Sequence, residues 1–259
     1  MAKSFTVHDE TAPSNDTDRQ TAIGLLLAAL IIGAWAAGHV VAVWFLVAWE
    51  QPWLALLLFV VQTWLSVGLF IVAHDAMHGS LAPGLKRVNR GIGSIALTLY
   101  MGFTFARLLP KHHAHHEHVG TDDDPDFDPA HPSSGVRWYA TFMRRYLDWH
   151  MFWKTGGIVT AYVILLLLAG GIGRAAHILF WAGPSMAASI QLFYFGTFRP
   201  HRHVDGEAFA DRHNSRSNDF PAWASLLSCF HFGYHHEHHL HPGTPWWRLP
   251  AKRRASTTS

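Results

Sequence analysis

Four stretches of the chain, 21–49, 51–73, 155–173 and 175–198, contain no Asp, Glu, Lys or Arg. A helix rises 1.5 Å per residue, so about 20 apolar residues cross the roughly 30 Å hydrocarbon core of a bilayer. Each stretch therefore predicts a membrane helix. Residues 91–106 and 220–230 are also uncharged, but the first would be only about 24 Å long and the second opens on Phe220-Pro221. Both predict interfacial or half-inserted helices. The first stretch is longer than a span requires and holds Gly38-His39 near its middle, where a tilt or a break is expected.

The polar residues fall in three blocks: the first 20 residues, 74–154 and 199–259. All but one of the 20 Lys and Arg lie in them, since the link at Glu50-Gln51-Pro52 has none and the link at Arg174 has one. Cations concentrate on the cytoplasmic side of membrane proteins, so the three blocks are expected there, and an even number of spans puts both termini on that face. The expectation is an all-α integral membrane protein with four transmembrane helices and a cytoplasmic cap, divided into a cytoplasmic tail over 1–20 and a single domain over 21–259. The tail has only Lys3 and Arg19 as cations, and the apolar run after it is too long for a signal-peptide core, so no cleaved leader is expected.

Composition narrows the chemistry. With 49% hydrophobic and 15% charged residues in 259, an ordinary soluble globule is excluded. A net charge of +2 gives no nucleic-acid footprint, and 12 Trp suit a lipid interface. The single cysteine, Cys229, forms no intramolecular disulfide or thiolate metal cage and reads as a packing residue. Histidine is the anomaly, at 21 residues.

Fifteen of those histidines lie in four clusters: His74-Asp-Ala-Met-His78, Lys111-His-His-Ala-His-His-Glu-His118, Arg199-Pro-His-Arg-His203, and His231-Phe-Gly-Tyr-His-His-Glu-His-His-Leu-His241. Each follows an uncharged run, which places them together in the cap, just beyond the lipid. His74 and His78 are four apart, so on a helix they share a face and point at one metal or at adjacent metals. His112, His115 and His116 form His-x-x-His-His, as do His235, His238 and His239. In that pattern residues i and i+3 share a face and the next residue turns about 100° away, so one turn serves two metals. A ninth imidazole is expected from the third cluster. His201 is preferred to His203 because it is nearer the helix ending at Phe198 and follows Pro200, which fixes the backbone. Nitrogen-only ligands suit iron, copper or zinc, and so many ligands exceed one tetrahedral shell and imply two ions. Carboxylates that accept the distal N–H of a ligand imidazole are expected beside them: Asp75, Glu117 and Glu237, with the run Asp122-Asp-Asp-Pro-Asp126 standing equally as a solvated loop.

The order of these boxes on four apolar helices resembles the membrane-bound fatty acid desaturase and hydroxylase superfamily of di-iron enzymes over nearly the whole chain. Within it, the strings His74-Asp-Ala-Met-His-Gly-Ser-Leu-Ala-Pro83, Phe195-Gly-Thr-Phe-Arg-Pro-His-Arg202 and Phe232-Gly-Tyr-His-His-Glu-His-His-Leu-His-Pro-Gly-Thr-Pro-Trp-Trp247 closely resemble the bacterial β-carotene ketolases. The resemblance implies an oxidoreductase with two non-haem irons and dioxygen, which converts C4 of the β-ionone ring to a ketone. β-Carotene then gives echinenone and canthaxanthin, and hydroxylated carotenoids lead toward astaxanthin. Two hydroxylations at one carbon followed by loss of water account for the ketone.

Carried over by position, the metal ligands are His74, His78, His112, His115, His116, His201, His235, His238 and His239, with His231 in reserve and histidines 113, 118, 203, 236 and 241 as supporting or surface residues. The resemblance also implies a bacterial inner-membrane location. With no flavin, nicotinamide or haem motif in the chain, electrons are expected from a separate ferredoxin-type partner. An apolar groove for the carotenoid is expected from residues of 91–109 and 181–198. The alternatives are a carotenoid hydroxylase or fatty acyl desaturase or hydroxylase on the same scaffold and, in a different class, a histidine-rich membrane metal transporter. Oligomeric state is left open.

Overall fold

The computed structural model describes residues 15–46, 50–204 and 208–258, so most of the expected tail, residues 1–14, lies outside the described residues. All regular structure among the described residues is helical: α1 (Asn15–Val40), α2 (Pro52–His78), α3 (Lys86–Met101), α4 (Phe105–His118), α5 (Gly135–Tyr146), α6 (Trp149–Ala175), α7 (Leu179–Leu192), the single turn α8 (Arg199–His201), α9 (Ala222–Cys229), α10 (His235–Leu240) and α11 (Leu249–Thr258).

Three helical segments are long and apolar enough to cross a membrane, Asn15–Phe45, Pro52–His78 and Trp149–His201, or four if α3 and α4, bent by 97°, count as one. The first passes through Gly38-His39 without a break and ends in a π-helical turn, Val41–Phe45. Inside the bundle His39 Nε2 shares a 2.5 Å hydrogen bond with the Tyr162 hydroxyl and the ring stacks on Trp35, while Nδ1 has no partner among the described residues. The third segment contains both of the remaining apolar stretches end to end. Gly170 and Gly171 depart from helical dihedrals (φ −171°, ψ 22° and φ 68°, ψ −162°), and the chain breaks there. Asp148 at the start of α6 meets Arg107 of α4. Past the break, His177 and Arg174 bond the carbonyls of Leu46 and Val43 at the far end of the bundle. The return leg then runs through α7 and a π-helical turn, Phe193–Phe198, to His201.

Apolar all round over its second half, α2 is the central element, with Leu65, Val67, Leu69, Ile71, Val72 and Ala73 all buried. A helix without a polar stripe must be enclosed on every side, and α1, α3 and α7 enclose it. α3 is shorter than a span, as its uncharged length predicts, and the chain turns at Gly102 so that α4 rises to the histidine end. The interfacial stretch 220–230 becomes the short helix α9.

The loop that follows His78 is clamped by the start of α1. Gln20 Nε2 donates to the Ser80 carbonyl (2.7 Å), and Gly24 lies so close that a Cβ there would sit 2.2 Å from the Leu81 carbonyl oxygen. Backbone cannot yield as a side-chain tip can. Gly24→Ala is therefore expected to lose about 1–3 kcal/mol, the usual cost of overpacking, read as a lower melting temperature in detergent. Gly33→Ala, with no atom near the added carbon, should melt at or above the wild-type temperature.

Candidate metal centre

Two groups of histidine nitrogens converge at the end of the bundle. His74, His78, His112, His116 and His238 form one and His115, His201, His235 and His239 the other, with the ligand atoms of each group within 4.8 Å of one another. These are the nine residues singled out from sequence, contributed by α2, α4, α8 and α10. The groups abut, the His116 and His239 rings lying 4.3 Å apart. Each His-x-x-His-His turn is divided between them, though not as the i, i+3 reading has it. His112 pairs with His116 and His235 with His239, while His115 and His238 cross to the opposite group. Helical geometry explains the correction: i+4 is displaced by about 40° from i, and i+3 by about 60° on the other side.

The donor set fits metal ions. Nε2 of His78 and His112 are 2.6 Å apart, and the pairs His116–His238 and His235–His239 are each 3.0 Å apart. About 3 Å is the separation of two imidazole nitrogens each roughly 2.1 Å from one shared ion at right angles. Both ring nitrogens of His74 and Nε2 of His201 are buried without a hydrogen-bond partner among the described residues, a costly arrangement unless a cation receives the lone pairs. Burial first, and then the neighbouring imidazoles, drive His235, His238 and His239 well below the ordinary histidine range. Their rings are neutral, the form that binds metal.

The distal nitrogens show how the rings are aimed. His115 Nδ1–H donates to Asp124 Oδ1 (2.9 Å) and His201 Nδ1–H to the Asn214 carbonyl (2.8 Å). Burial opposes ionisation of Asp124, but the facing His115 ring and the Gly120 and Asp126 amides hold its carboxyl below the ordinary range. The acidic run thus contributes through Asp124. Nothing in the sequence separates Asp124 from Asp122 or Asp123, and a main-chain carbonyl such as that of Asn214 leaves no sequence signal.

The three single carboxylates expected to accept imidazole protons are placed otherwise. Asp75 Oδ1 is 3.7 Å from His74 Nδ1, beyond hydrogen-bond reach, and its Oδ2 instead accepts the Trp246 amide (3.1 Å). Glu237 is buried, at 2% exposure, and accepts from Ser217, Ser256 and Arg253 rather than from a ligand ring. Those bonds hold it below the ordinary carboxylate range against the upward push of burial. Glu117, with its side chain 76% exposed, stands on the outer face of α4, about 200° round from His115. His231 joins neither group and lies against Tyr234 and Trp246. His113 bonds the Met77 carbonyl, His236 meets Ser215 and Asp211, and His203 stacks on Phe127.

An apolar cleft opens onto both groups, touching His74 and His112 of one and His115 and His235 of the other. Its walls come from the expected stretches, through Tyr100, Met101, Phe103, Leu108, Leu192 and Phe193, and also from Phe142, Met143 and Tyr146 of α5, which the sequence did not mark. Gly196 in the π-helical turn is required here: a Cβ would lie 2.2 Å from the Phe232 ring, which stands 4.7 Å from the His74 ring and 4.8 Å from that of His235.

Comparison with known proteins agrees with this geometry. Residues 48–157 and 145–257 match the family model described as fatty acid desaturase. The chain is 52% identical over 240 residues to a protein named beta-carotene ketolase from Paracoccus sp. (strain N81106 / MBIC 01143), covering 92% of this chain and 96% of that one. A protein of the same name from Paracoccus sp. (strain PC1) is 49% identical over 92% and 95%. A zeaxanthin 4-ketolase from Chlamydomonas reinhardtii is 35% identical over 89% of this chain and 53% of its own length.

The grouping makes a metal-content prediction. His201→Ala should lower the metal bound per chain, measured by elemental analysis of the purified protein, while His113→Ala leaves it unchanged. Asp124→Ala, which frees the distal N–H of His115, should weaken the affinity of that group about 10–100-fold.

Proposed function

The chain belongs to the fatty acid desaturase family, and on that footing we propose that it is an oxygenase converting the C4 methylene of a β-ionone ring, as in β-carotene, to a ketone. The observation that carries this reading is the apolar cleft that reaches both histidine groups: a hydrocarbon ring seated there lies beside the centre. The Paracoccus relatives, named beta-carotene ketolases and matched nearly end to end, supply the substrate class. A hydroxylase or acyl-enzyme reading draws no support from those names.

The two groups suit a pair of irons, which with dioxygen and two external electrons per turnover would supply the oxidation of an allylic C–H bond that side chains alone cannot achieve. Oxidation of one methylene to an alcohol consumes one dioxygen, two electrons and two protons and releases one water. A second round at the same carbon gives a geminal diol, which loses water to leave the ketone. The chain's own groups position this chemistry. His115 and His201 are held in one orientation by Asp124 and the Asn214 carbonyl. Phe232 fills the space between His74 and His235 and keeps that wall of the cleft dry. Tyr100, Met101, Leu192 and Phe193 present an apolar face along which a flat conjugated chain can lie. Asp75 anchors the Trp246 amide and so ties the end of α2, with His74 and His78, to the segment after α10.

The same reading places four passes in the membrane, α1, α2, α6 and α7, with the break at Gly170-Gly171 turning the last two into a hairpin and the histidine cap on the cytoplasmic face of a bacterial inner membrane. A ferredoxin-type protein delivers the electrons from that side.

Expression in a β-carotene-producing host tests the activity. The wild-type chain should yield echinenone and canthaxanthin, seen as new chromatographic peaks absorbing at longer wavelength because the carbonyl extends conjugation. His238→Ala should leave β-carotene unconverted. Unchanged β-carotene in the wild-type culture, with the protein present in the membrane and loaded with iron, would overturn the reading.

A further inference from the structure

A cleft shaped for hydrocarbon has one acidic side chain in its wall, Asp126. The backbone of this residue is fixed on both sides: its amide donates to Asp124 Oδ1 (2.8 Å) and its carbonyl accepts the Trp138 indole N–H (2.6 Å). One carboxylate oxygen, Oδ1, accepts the Tyr146 hydroxyl. The other, Oδ2, stands 3.9 Å from His115 Nδ1, whose proton is already given to Asp124. Oδ2 accepts no hydrogen bond from any described residue, and the side chain, 13% exposed, forms part of the cleft lining. An acceptor oxygen facing an apolar cavity without a donor is costly. A ligand that carries a donor to this point removes the cost, and plain β-carotene carries none.

Resting on the proposed ring oxidation, we propose that Asp126 Oδ2 is the acceptor for a secondary alcohol on the ring and so holds a hydroxylated ring in register for oxidation at C4. Such an alcohol has two sources. One is the 4-hydroxyl left by the first oxidation, which must stay beside the centre for the second. The other is a 3-hydroxyl on the adjacent carbon of a ring hydroxylated beforehand. In either case Asp126 discriminates rings by a hydrogen bond rather than by shape. A site built to pair a hydroxyl separates hydroxylated from plain ligands more sharply than an apolar wall can.

The test reads binding, without turnover. Iron-loaded wild-type, Asp126→Ala and Asp126→Asn proteins in lipid nanodiscs are titrated under argon with β-carotene, its 4-hydroxy derivative and its 3,3′-dihydroxy derivative. Carotenoid absorption reports binding, and iron per chain is measured in the same samples. Asp126→Ala should weaken a hydroxylated ligand by about tenfold or more, the scale of one charge-assisted hydrogen bond in a dry site, and change β-carotene binding by less than about twofold, with iron retained. Asp126→Asn, which keeps the shape and a polar group, should show a smaller loss. A loss confined to the 4-hydroxy ligand identifies the reaction intermediate as the source, and one confined to the 3,3′-dihydroxy ligand identifies a previously hydroxylated ring. Equal changes across all three ligands, no change in any, or loss of iron with Asp126→Ala would overturn the inference. Selective binding is independent of ketone formation, so failure here leaves the proposed reaction standing, and failure of that reaction is read separately in the carotene-producing host.

Discussion

Nine imidazoles with nitrogens aimed at one another, six of them buried and three half-buried, form the constraint on which the other features of the cap depend. Imidazole nitrogens 2.6–3.0 Å apart repel unless a proton or a cation lies between them, and the buried nitrogens of His74 and His201 find no hydrogen-bond partner among the described residues. Hydrophobic burial alone would scatter these rings toward solvent. They stay together only if cations receive the lone pairs and if the chain around them is too well anchored to relax. Much of the polar structure outside the two groups serves that anchoring.

The anchoring is most economical at α10. Six residues are too few to make a stable helix unaided, yet His235, His238 and His239 must project from this helix in fixed directions. Glu237, on the side of α10 away from the metal groups, accepts Ser217 from the preceding loop and Ser256 and Arg253 from α11, and so joins three segments through one buried carboxylate. A buried charge that lost these partners would be strongly destabilising, so Glu237 fixes the helix without touching a ligand. Asp75 does the same for the end of α2 through the Trp246 amide. The aspartate and glutamate embedded in the first and last histidine clusters thus act on the scaffold, whereas the imidazole partners come from a loop carboxylate and a main-chain carbonyl.

That division explains what the sequence disclosed. Apolar runs without charge announce the long helices, because the requirement is one of length and composition. Histidine spacing announces the two convergent groups, because side chains at i, i+3 and i+4 on one helical turn can face two neighbouring points. How the ligands divide between the groups follows from angle, and the closer match of i+4 to a full turn decides it. Roles that depend on tertiary approach leave no such trace. Asp124 is one of four aspartates in a five-residue run, Asn214 acts through an atom every residue possesses, and Glu117 and Glu237 look equivalent by position although one faces outward and the other is enclosed. The joining of the third and fourth apolar stretches is legible only in part: the charge pattern puts the link at Arg174, whereas the helix departs from helical dihedrals at Gly170 and Gly171.

The cleft completes the argument, because the same elements that aim the imidazoles also build its walls. The loop carrying Asp124 continues to Asp126 and is tied to α5 by Arg145, which donates to the carbonyls of Asp124, Pro125 and Phe127, and by Tyr146. The π-helical turn that carries the chain to His201 supplies Phe193, Gly196 and Thr197 to the cleft. Phe232, three residues before His235, seals the space between the groups. A displacement of the ring-binding wall therefore moves a segment that holds a ligand or its hydrogen-bond partner. Such coupling suits a reaction that must return to the same carbon, since the hydrocarbon and the metals are then positioned by one connected set of segments.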